Sequence, residues 1–543
     1  MIARVESLQV DRGVAIPMRD GVVLNATVFR PASGPPVPAI LSRTCYESRR
    51  ALTANAAVDP ERAVPAGYAL VVQDVRGISP SQGEFDPFVT EAADGYDSIE
   101  WVAAQEWCDG SVVMSGRSYV GATQWLAAAE QPPALKAIAP VVTGSNYFHG
   151  WVYQGGAFQL GFNLFWANLM SRRQRRDSAF TVQVAHLPII EPPLVDEGEA
   201  GRFYREWLSH STDDDYWQAL SINQKYDRIQ VPALNVGGWY DVFLGGTLEN
   251  FQGAGSRLIV GPWVHGNAWG TWPTEKSSFD GKDAIDLDAE QLAFFDAQLR
   301  GGADGGPPVR IFVMGANVWR EEQDWPLARA LDTPWYLHAD GRLSPDAPGE
   351  EAPDEFTYDP AEPAPTIGGP TSLPDRFLGT NSGPLDQREL EARDDVLVYT
   401  SAPLDADYEV TGPLTAVVWA ATSARDTDFV VKLTDVDPEG GSRILAEGVI
   451  RARFRDGYDA ERLIEPGEVL DYRVDLVATA NAFLAGHRIR VLVTSSSFPR
   501  FDRNPNTGAP LGVDGPEDLV VAQQTIFHDT ARPSHIVLPV VPS

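Results

Sequence analysis

The sequence predicts an α/β domain that is split by a helical insertion and followed by an all-β domain. Short, nearly continuous apolar strands alternate with helical patterns over residues 1–145 and again over 231–325. That rhythm argues for a mostly parallel sheet covered on both faces. Residues 146–230 break it with an aromatic and polar stretch that has few strand candidates. From 326 to 543 short alternating runs are separated by turn signals, the pattern of a β-sandwich or jelly roll.

In the first segment VVLNATVF (22–29), AILSRT (39–44) and YALVVQDV (68–75) predict strands, and TEAADGYDSIEWVAAQ (90–105) places apolar residues at helical spacing. The strand VVMSG (112–116) follows, then a helix from Tyr119 to about Glu130 and the strand LKAIAPVV (135–142). Within the insertion, 156–173 and 201–210 read as helices. The α/β rhythm resumes with PALNVGGWYDVF (232–243) and RLIVGPW (257–263), a helix at about 287–300 and VRIFVMG (309–315). An insertion in such a fold is expected to cap a site at the strand C-termini. Residues 343–389, rich in Pro, Gly and acids, predict an irregular connector. Beyond it DVLVYT (395–400), PLTAVVWAAT (413–422), DFVVKLTDV (428–436), VLDYRVDLVAT (469–479), HRIRVLVTSS (487–496) and HIVLPVV (535–541) predict strands.

Composition narrows the function. A chain of 543 residues is long for one core and fits about three domains. With 43% hydrophobic residues it is not disordered throughout, and its net charge of −32 repels phosphates. Nucleic acid and anionic membranes are therefore not expected partners. Cys45 and Cys108 are too few for a disulfide framework or a multi-Cys zinc site, and both are expected as buried thiols. The opening MIARVESLQVDRG lacks an apolar signal core, and no run of apolar residues is long enough to span a bilayer. The expectation is a soluble, cytoplasmic protein.

The chemistry concentrates in Ser115-Gly116-Arg117-Ser118-Tyr119-Val120-Gly121, which follows a strand and opens a helix. A nucleophile elbow holds its Ser on such a turn, flanked by small residues. The usual Gly-x-Ser-x-Gly fails here because the second Gly comes one residue late, and the window on its own also fits an ordinary Gly-rich turn. A serine hydroxyl needs a base and an imidazole needs an orienting carboxylate, which α/β-hydrolases supply in the chain order Ser, Asp/Glu, His. Asp241 follows the strand PALNVG and His265 follows RLIVG, as that order requires. Asp74 precedes the serine and reads as a structural turn; Asp94 is a further rival. The other histidines, among them His338, His487, His528 and His535 in the β-region, read as surface or packing residues. An oxyanion would meet the Tyr119 N–H at the helix start. Tyr46, after AILSRT, is either a second donor or a packing tyrosine. No His-x-x-x-His or His/carboxylate cluster predicts a metal site, so no cofactor is expected.

GRSYVGATQW, GGWYDVF, GPWVHGN, IPMRDG (16–21), DVRG (74–77) and FPRFDRNPNTG (498–508), taken in this order, give the chain an end-to-end similarity to one family. It resembles the cocaine esterase and X-prolyl dipeptidyl aminopeptidase-like α/β-hydrolases, with the α-amino-acid ester hydrolases. The resemblance implies a split α/β-hydrolase domain, an inserted helical cap and a C-terminal jelly-roll-like domain. It implies Ser118 as nucleophile, Asp241 as acid and His265 as base, with oxyanion donors on the Tyr119 N–H and the Tyr46 hydroxyl. The family motif Gly-x-Ser-Tyr-x-Gly accounts for the late Gly121. The resemblance also implies an aromatic acyl pocket at Trp151, Trp166 and Phe243. Cys45-Tyr46-Glu47 stands where the esterases usually carry Pro-Tyr-Asp, and Phe377 and Leu378 in the connector stay unassigned. The expected function is serine-dependent hydrolysis of small-molecule esters; the alternatives are an X-prolyl dipeptidyl aminopeptidase or an α-amino-acid ester hydrolase. A non-catalytic binding module would lack the ordered Ser/Asp/His set. A homodimer is compatible with the sequence.

Overall fold

The computed structural model describes residues 8–48, 58–171, 178–192, 198–265, 279, 281–301, 306–373 and 382–542. The first twelve strands are β1 (Leu8–Pro17), β2 (Val23–Pro31), β3 (Val37–Thr44), β4 (Ala69–Asp74), β5 (Cys108–Arg117), β6 (Leu135–Val141), β7 (Tyr153–Gln154), β8 (Ala157–Phe158), β9 (Leu234–Tyr240), β10 (Arg257–Val264), β11 (Val309–Val313) and β12 (Val318–Glu322). Ten of them form one sheet in the order β1-β2-β4-β3-β5-β6-β9-β10-β11-β12. Its centre, from β4 to β11, is parallel. The edges β1, β2 and β12 are antiparallel.

The central strands are apolar on both sides because both faces are covered. Every residue of β4 and β9 is buried. Val71 and Met114 pack with Trp125 and Leu126 of the helix Tyr119–Ala129 on one face. Leu70, Val72 and Val113 pack with Phe294 and Phe295 of the helix Leu287–Arg300 on the other. The sequence reading missed the edge strands β1 and β12. β1 is largely exposed and carries a bulge between Arg12 and Val14, and β12 is a short mix of exposed, half-buried and buried residues, so neither shows a clean period. Asp59, Asp214 and Asp286 each cap a helix by accepting a backbone N–H.

Between β6 and β9 lie the β7–β8 hairpin and helices that include Leu160–Met170, Glu199–Ser209 and Asp215–Leu220. Among the described residues no helix is long and apolar enough to cross a membrane.

The C-terminal region is built almost entirely of strands: β13 (Leu331–His338), β14 (Arg342–Ser344), β15 (Asp354–Tyr358), β16 (Leu397–Thr400), β17 (Tyr408–Thr422), β18 (Asp428–Val436), β19 (Ser442–Arg451), β20 (Leu470–Phe483), β21 (Arg488–Thr494), β22 (Ala522–Asp529), β23 (Arg532–Pro533) and β24 (His535–Val540). Ten are hydrogen-bonded in the order β15-β22-β17-β24-β13-β14-β16-β21-β18-β19, with β20 on β17 and β23 on β22. The expected connector at 343–389 is partly ordered, since β15 lies inside it and pairs with β22. The strands β13, β19 and β22 were also not read from the sequence. Pro334 interrupts β13, Gly448 sits inside β19, and polar Gln and Thr side chains alternate in β22, so none carries a clear β pattern.

The segment Ser497–Asn504 joins this region to the insertion. Asp502 accepts the Phe158 N–H on its Oδ1 at 2.9 Å, its own N–H donates to the Phe158 carbonyl at 2.9 Å, and the Gly161 N–H donates to the Pro499 carbonyl at 2.8 Å. Arg451, 3% exposed in its side chain, bonds both Asp428 and Asp502 at 2.8–2.9 Å. Burial, opposed by the Arg451 charge, pushes the Asp502 carboxyl up to about 6. The Tyr240 hydroxyl donates to the Ile444 carbonyl at 3.1 Å and ties β9 to β19. A Tyr240→Phe variant, which leaves that carbonyl unpaired, is expected to lose about 1–2 kcal/mol of stability. Denaturant unfolding measures it, with ester turnover unchanged.

Candidate active site

Three loops at the carboxyl ends of β5, β9 and β10 converge. Ser118 follows β5 and stands directly before the helix Tyr119–Ala129, with φ 58° and ψ −126°. A non-glycine residue at positive φ is held there by its surroundings. Its N–H donates to the Val141 carbonyl at 2.9 Å, and its carbonyl accepts from Thr143 Oγ1 at 2.8 Å and from the Gly121 N–H at 2.8 Å. The two glycines of the window are sterically required. A Cβ on Gly116 (φ +147°) would lie 2.2 Å from Val120 Cγ1, and one on Gly121 would lie 2.8 Å from Thr143 Cβ. The late position of Gly121 thus reflects close packing of the first helical turn against the end of β6.

Asp241 closes β9 in a short turn, where its Oδ1 accepts the Phe243 N–H at 2.7 Å. Its Oδ2 lies 2.9 Å from His265 Nδ1, and His265 Nε2 lies 2.9 Å from Ser118 Oγ. Asp241 is 1% exposed and Ser118 5%. With the buried carboxylate on Nδ1, the Nδ1–H tautomer is the one that satisfies both bonds, leaving Nε2 to accept from the serine.

The rivals are occupied elsewhere. Asp74 Oδ1 accepts the Ser48 N–H, and Asp94 is paired bidentately with Arg76 at 2.6–2.9 Å. His338, His487 and His528 bond Glu351, Asp435 and Asp354 within the β-region.

Tyr119 N–H belongs to the first turn of its helix, where backbone donors have no helical acceptor. Beneath it the Tyr119 hydroxyl donates to Glu91 Oε1 at 2.8 Å and accepts the Phe88 N–H at 3.0 Å. Glu91 in turn pairs with the fully buried Arg43 at 2.9 Å. Burial raises the Glu91 carboxyl, against the pull of Arg43. Trp166 Nε1 donates to the Tyr46 hydroxyl at 3.3 Å, and Ser118 and Cys45 are its other polar side-chain neighbours. The protein packed around that hydroxyl pushes its pKa far above the ordinary value, so it stays protonated and able to donate.

Trp151, Trp166 and Phe243 do meet in space. Trp151 stacks on Phe243 with centroids 4.2 Å apart and meets Trp166 edge-on at 6.4 Å. A stack that close leaves no room for a third ring between Trp151 and Phe243. The aromatic wall beside the imidazole consists of Phe243, edge-on at 5.1 Å, and Phe162, edge-on at 6.3 Å. Phe162 was missed in the sequence, although it lies four residues before Trp166 and therefore on the same helix face. Phe377 and Leu378 lie outside the described residues. Among those described, no group of three or more His, Cys, Asp or Glu is placed to hold a metal ion. Cys45 and Cys108 are free and buried.

Residues 20–267 match the X-Pro dipeptidyl-peptidase (S15) family, and residues 301–537 match the X-Pro dipeptidyl-peptidase C-terminal non-catalytic domain. The chain is 39% identical to the cocaine esterase of Rhodococcus sp. (strain MB1 Bresler), over 97% of this chain and 98% of that one. An aminopeptidase from a marine sediment Thaumarchaeota archaeon superposes with TM-score 0.85 at 27% identity, covering 99% and 96% of the two chains. An α-amino acid ester hydrolase superposes with TM-score 0.84 at 28% identity, covering 99% and 97%. The fold and these likenesses define the class as an α/β hydrolase acting on carboxylic esters. Within that class, the chain belongs to the cocaine esterase and X-Pro dipeptidyl-peptidase-like family.

Proposed function

We propose that the protein hydrolyses small acyl esters, with aromatic acyl groups preferred, through a Ser118–His265–Asp241 relay and an acyl-enzyme. One observation carries the reading: Ser118 Oγ, both His265 nitrogens and Asp241 Oδ2 form a continuous chain with two 2.9 Å links. Ser118 Oγ attacks the ester carbonyl carbon while His265 Nε2 takes its proton. Asp241 holds the ring and stabilises the imidazolium. The Tyr46 hydroxyl and the Tyr119 N–H donate to the developing oxyanion. His265 then protonates the departing alcohol. Water, activated by the same imidazole, releases the acid and restores the serine. The wall of Phe243 and Phe162 beside the imidazole supports an aromatic acyl preference.

The same reading makes the insertion a cap and the β-region a jelly roll, and takes the enzyme to be cytoplasmic and free of any cofactor. Its only assigned partner is the ester substrate; nucleic acid and membrane surfaces are not partners, and self-association into a dimer is part of the proposal.

The second reading, cleavage of X-Pro amides or α-amino esters, is suggested by the aminopeptidase and the α-amino acid ester hydrolase. It requires carboxylates converging on a substrate ammonium. Glu47, beside Tyr46, is the candidate for that role, and one carboxylate does not make a converging cluster. Side-by-side kinetics on phenyl esters and X-Pro anilides decide between them. Efficient phenyl-ester turnover with negligible anilide release is expected, and the opposite ranking would reassign the enzyme.

A further inference from the structure

We infer that Trp166 is a positioning residue whose indole N–H aims the Tyr46 hydroxyl proton at the reacting oxygen. This deepens the proposed mechanism and rests on it. A tyrosine hydroxyl has one proton to donate, whereas an indole N–H can only donate. Trp166 Nε1 donates to the Tyr46 oxygen at 3.3 Å, so that contact consumes a lone pair of Tyr46 and leaves its proton for another acceptor. The hydroxyl's other polar side-chain neighbours are Ser118 and the Cys45 thiol, and sulfur is a weak acceptor, so the proton is left for an oxygen on the Ser118 side. Phenol rotors not constrained in this way turn to any acceptor in reach. Here the direction is set before substrate arrives, as effective oxyanion donors require.

The indole is itself held in place. It stacks on Trp207 at 5.7 Å with planes 12° apart and on Tyr119 at 5.8 Å and 24°, with Phe203 tilted against it at 5.2 Å. Trp166 is 3% exposed and Trp207 fully buried. The chain Trp207–Trp166–Tyr46–Ser118 therefore runs from the helix Glu199–Ser209 through the helix Leu160–Met170 to the nucleophile. The inserted segment contributes to the geometry of bond cleavage as well as to covering the site.

The test uses the full-length enzyme with a phenyl ester. Trp166→Phe keeps an aromatic ring and deletes the donor. It is expected to lower kcat about three- to tenfold, the range of one hydrogen bond, with KM little changed. Replacing Trp166 by benzothienylalanine, which keeps the bicyclic shape with sulfur in place of N–H, is expected to cause the same loss and guards against a packing artefact. In a Tyr46→Phe background neither replacement is expected to lower kcat further. Phenylboronic acid, which forms a tetrahedral adduct with an active serine, is expected to lose affinity by the same factor as kcat. An equal loss in both backgrounds, a change confined to KM, or wild-type kcat with benzothienylalanine would overturn the inference and leave Trp166 as a pocket wall. Such a result would leave the Ser118 mechanism standing, whereas full activity in Ser118→Ala would remove that mechanism itself.

Discussion

A Ser118→Ala variant is expected to fold as the parent does and to lose ester turnover by about five to six orders of magnitude. The size follows from the way a nucleophile and its base act as a unit: removing the serine alone costs nearly as much as removing the whole relay, roughly 10⁶ in kcat in a serine protease studied in this way. The fold is expected to survive because the side chain contributes little to it. The φ of 58° is already occupied by a residue with a Cβ, so alanine adds no clash. The backbone bonds of residue 118 to Val141, Gly121 and Thr143 do not involve Oγ. Oγ bonds His265 Nε2, a contact that the proposed reaction uses and the fold does not need. The checks are circular dichroism, kcat/KM on a phenyl ester, and labelling by a fluorophosphonate, which the parent takes up and the variant does not. Activity within about tenfold of the parent would remove Ser118 from the nucleophile's role.

What could be read from the sequence follows from what each segment buries. The parallel strands β3, β4, β5 and β9 are covered on both faces over most of their length, so each carries a short run of buried apolar residues, such as 39–41, 69–72 and 112–114, that a reading of the sequence detects. The edge strand β12 spends three of its five residues on the charged Arg320-Glu321-Glu322, whose Arg320 and Glu322 are ion-paired with each other, and so carries no such apolar signal. The spatial meeting of Ser118, Asp241 and His265 was legible because each directly follows a strand of one sheet, and adjacent strand ends lie together. The aromatic cluster was legible only as a set of residues. That Trp151 stacks on Phe243 while Phe162 faces the imidazole depends on rotamers and on how the insertion sits on the sheet. The contact between Trp166 and Tyr46 joins residues 120 apart in the chain, and neither carries a local pattern that announces the other. The staple at Asp502 was visible as part of the FPRFDRNPNTG motif, but its role required the position of Phe158.

A Tyr46→Phe variant is expected to lower kcat by about 10²–10³, equivalent to about 2.7–4 kcal/mol, the cost of deleting one oxyanion donor from a water-excluded site. KM is expected to change little. The neutral ester oxygen of the bound substrate gains much less from the hydroxyl than the charged oxygen of the tetrahedral intermediate does, so the loss falls on the chemical step. A second effect has the opposite cause. The phenylalanine ring keeps its packing, but Trp166 Nε1, buried with its indole, loses its acceptor. An unsatisfied buried donor costs about 1–3 kcal/mol. The variant is therefore expected to be less stable than the parent, while Tyr46→Phe combined with Trp166→Phe recovers part of that stability without recovering kcat. The two readouts separate the roles a tyrosine at a strand end can play. A packing tyrosine would move stability alone, and an unchanged kcat would take Tyr46 out of the site. A hydroxyl serving only as a hydrogen-bond acceptor for Trp166 would show the stability pattern with kcat intact. Only a hydroxyl that gives its proton to the reacting oxygen moves both, with stability rescued by the second substitution and turnover not.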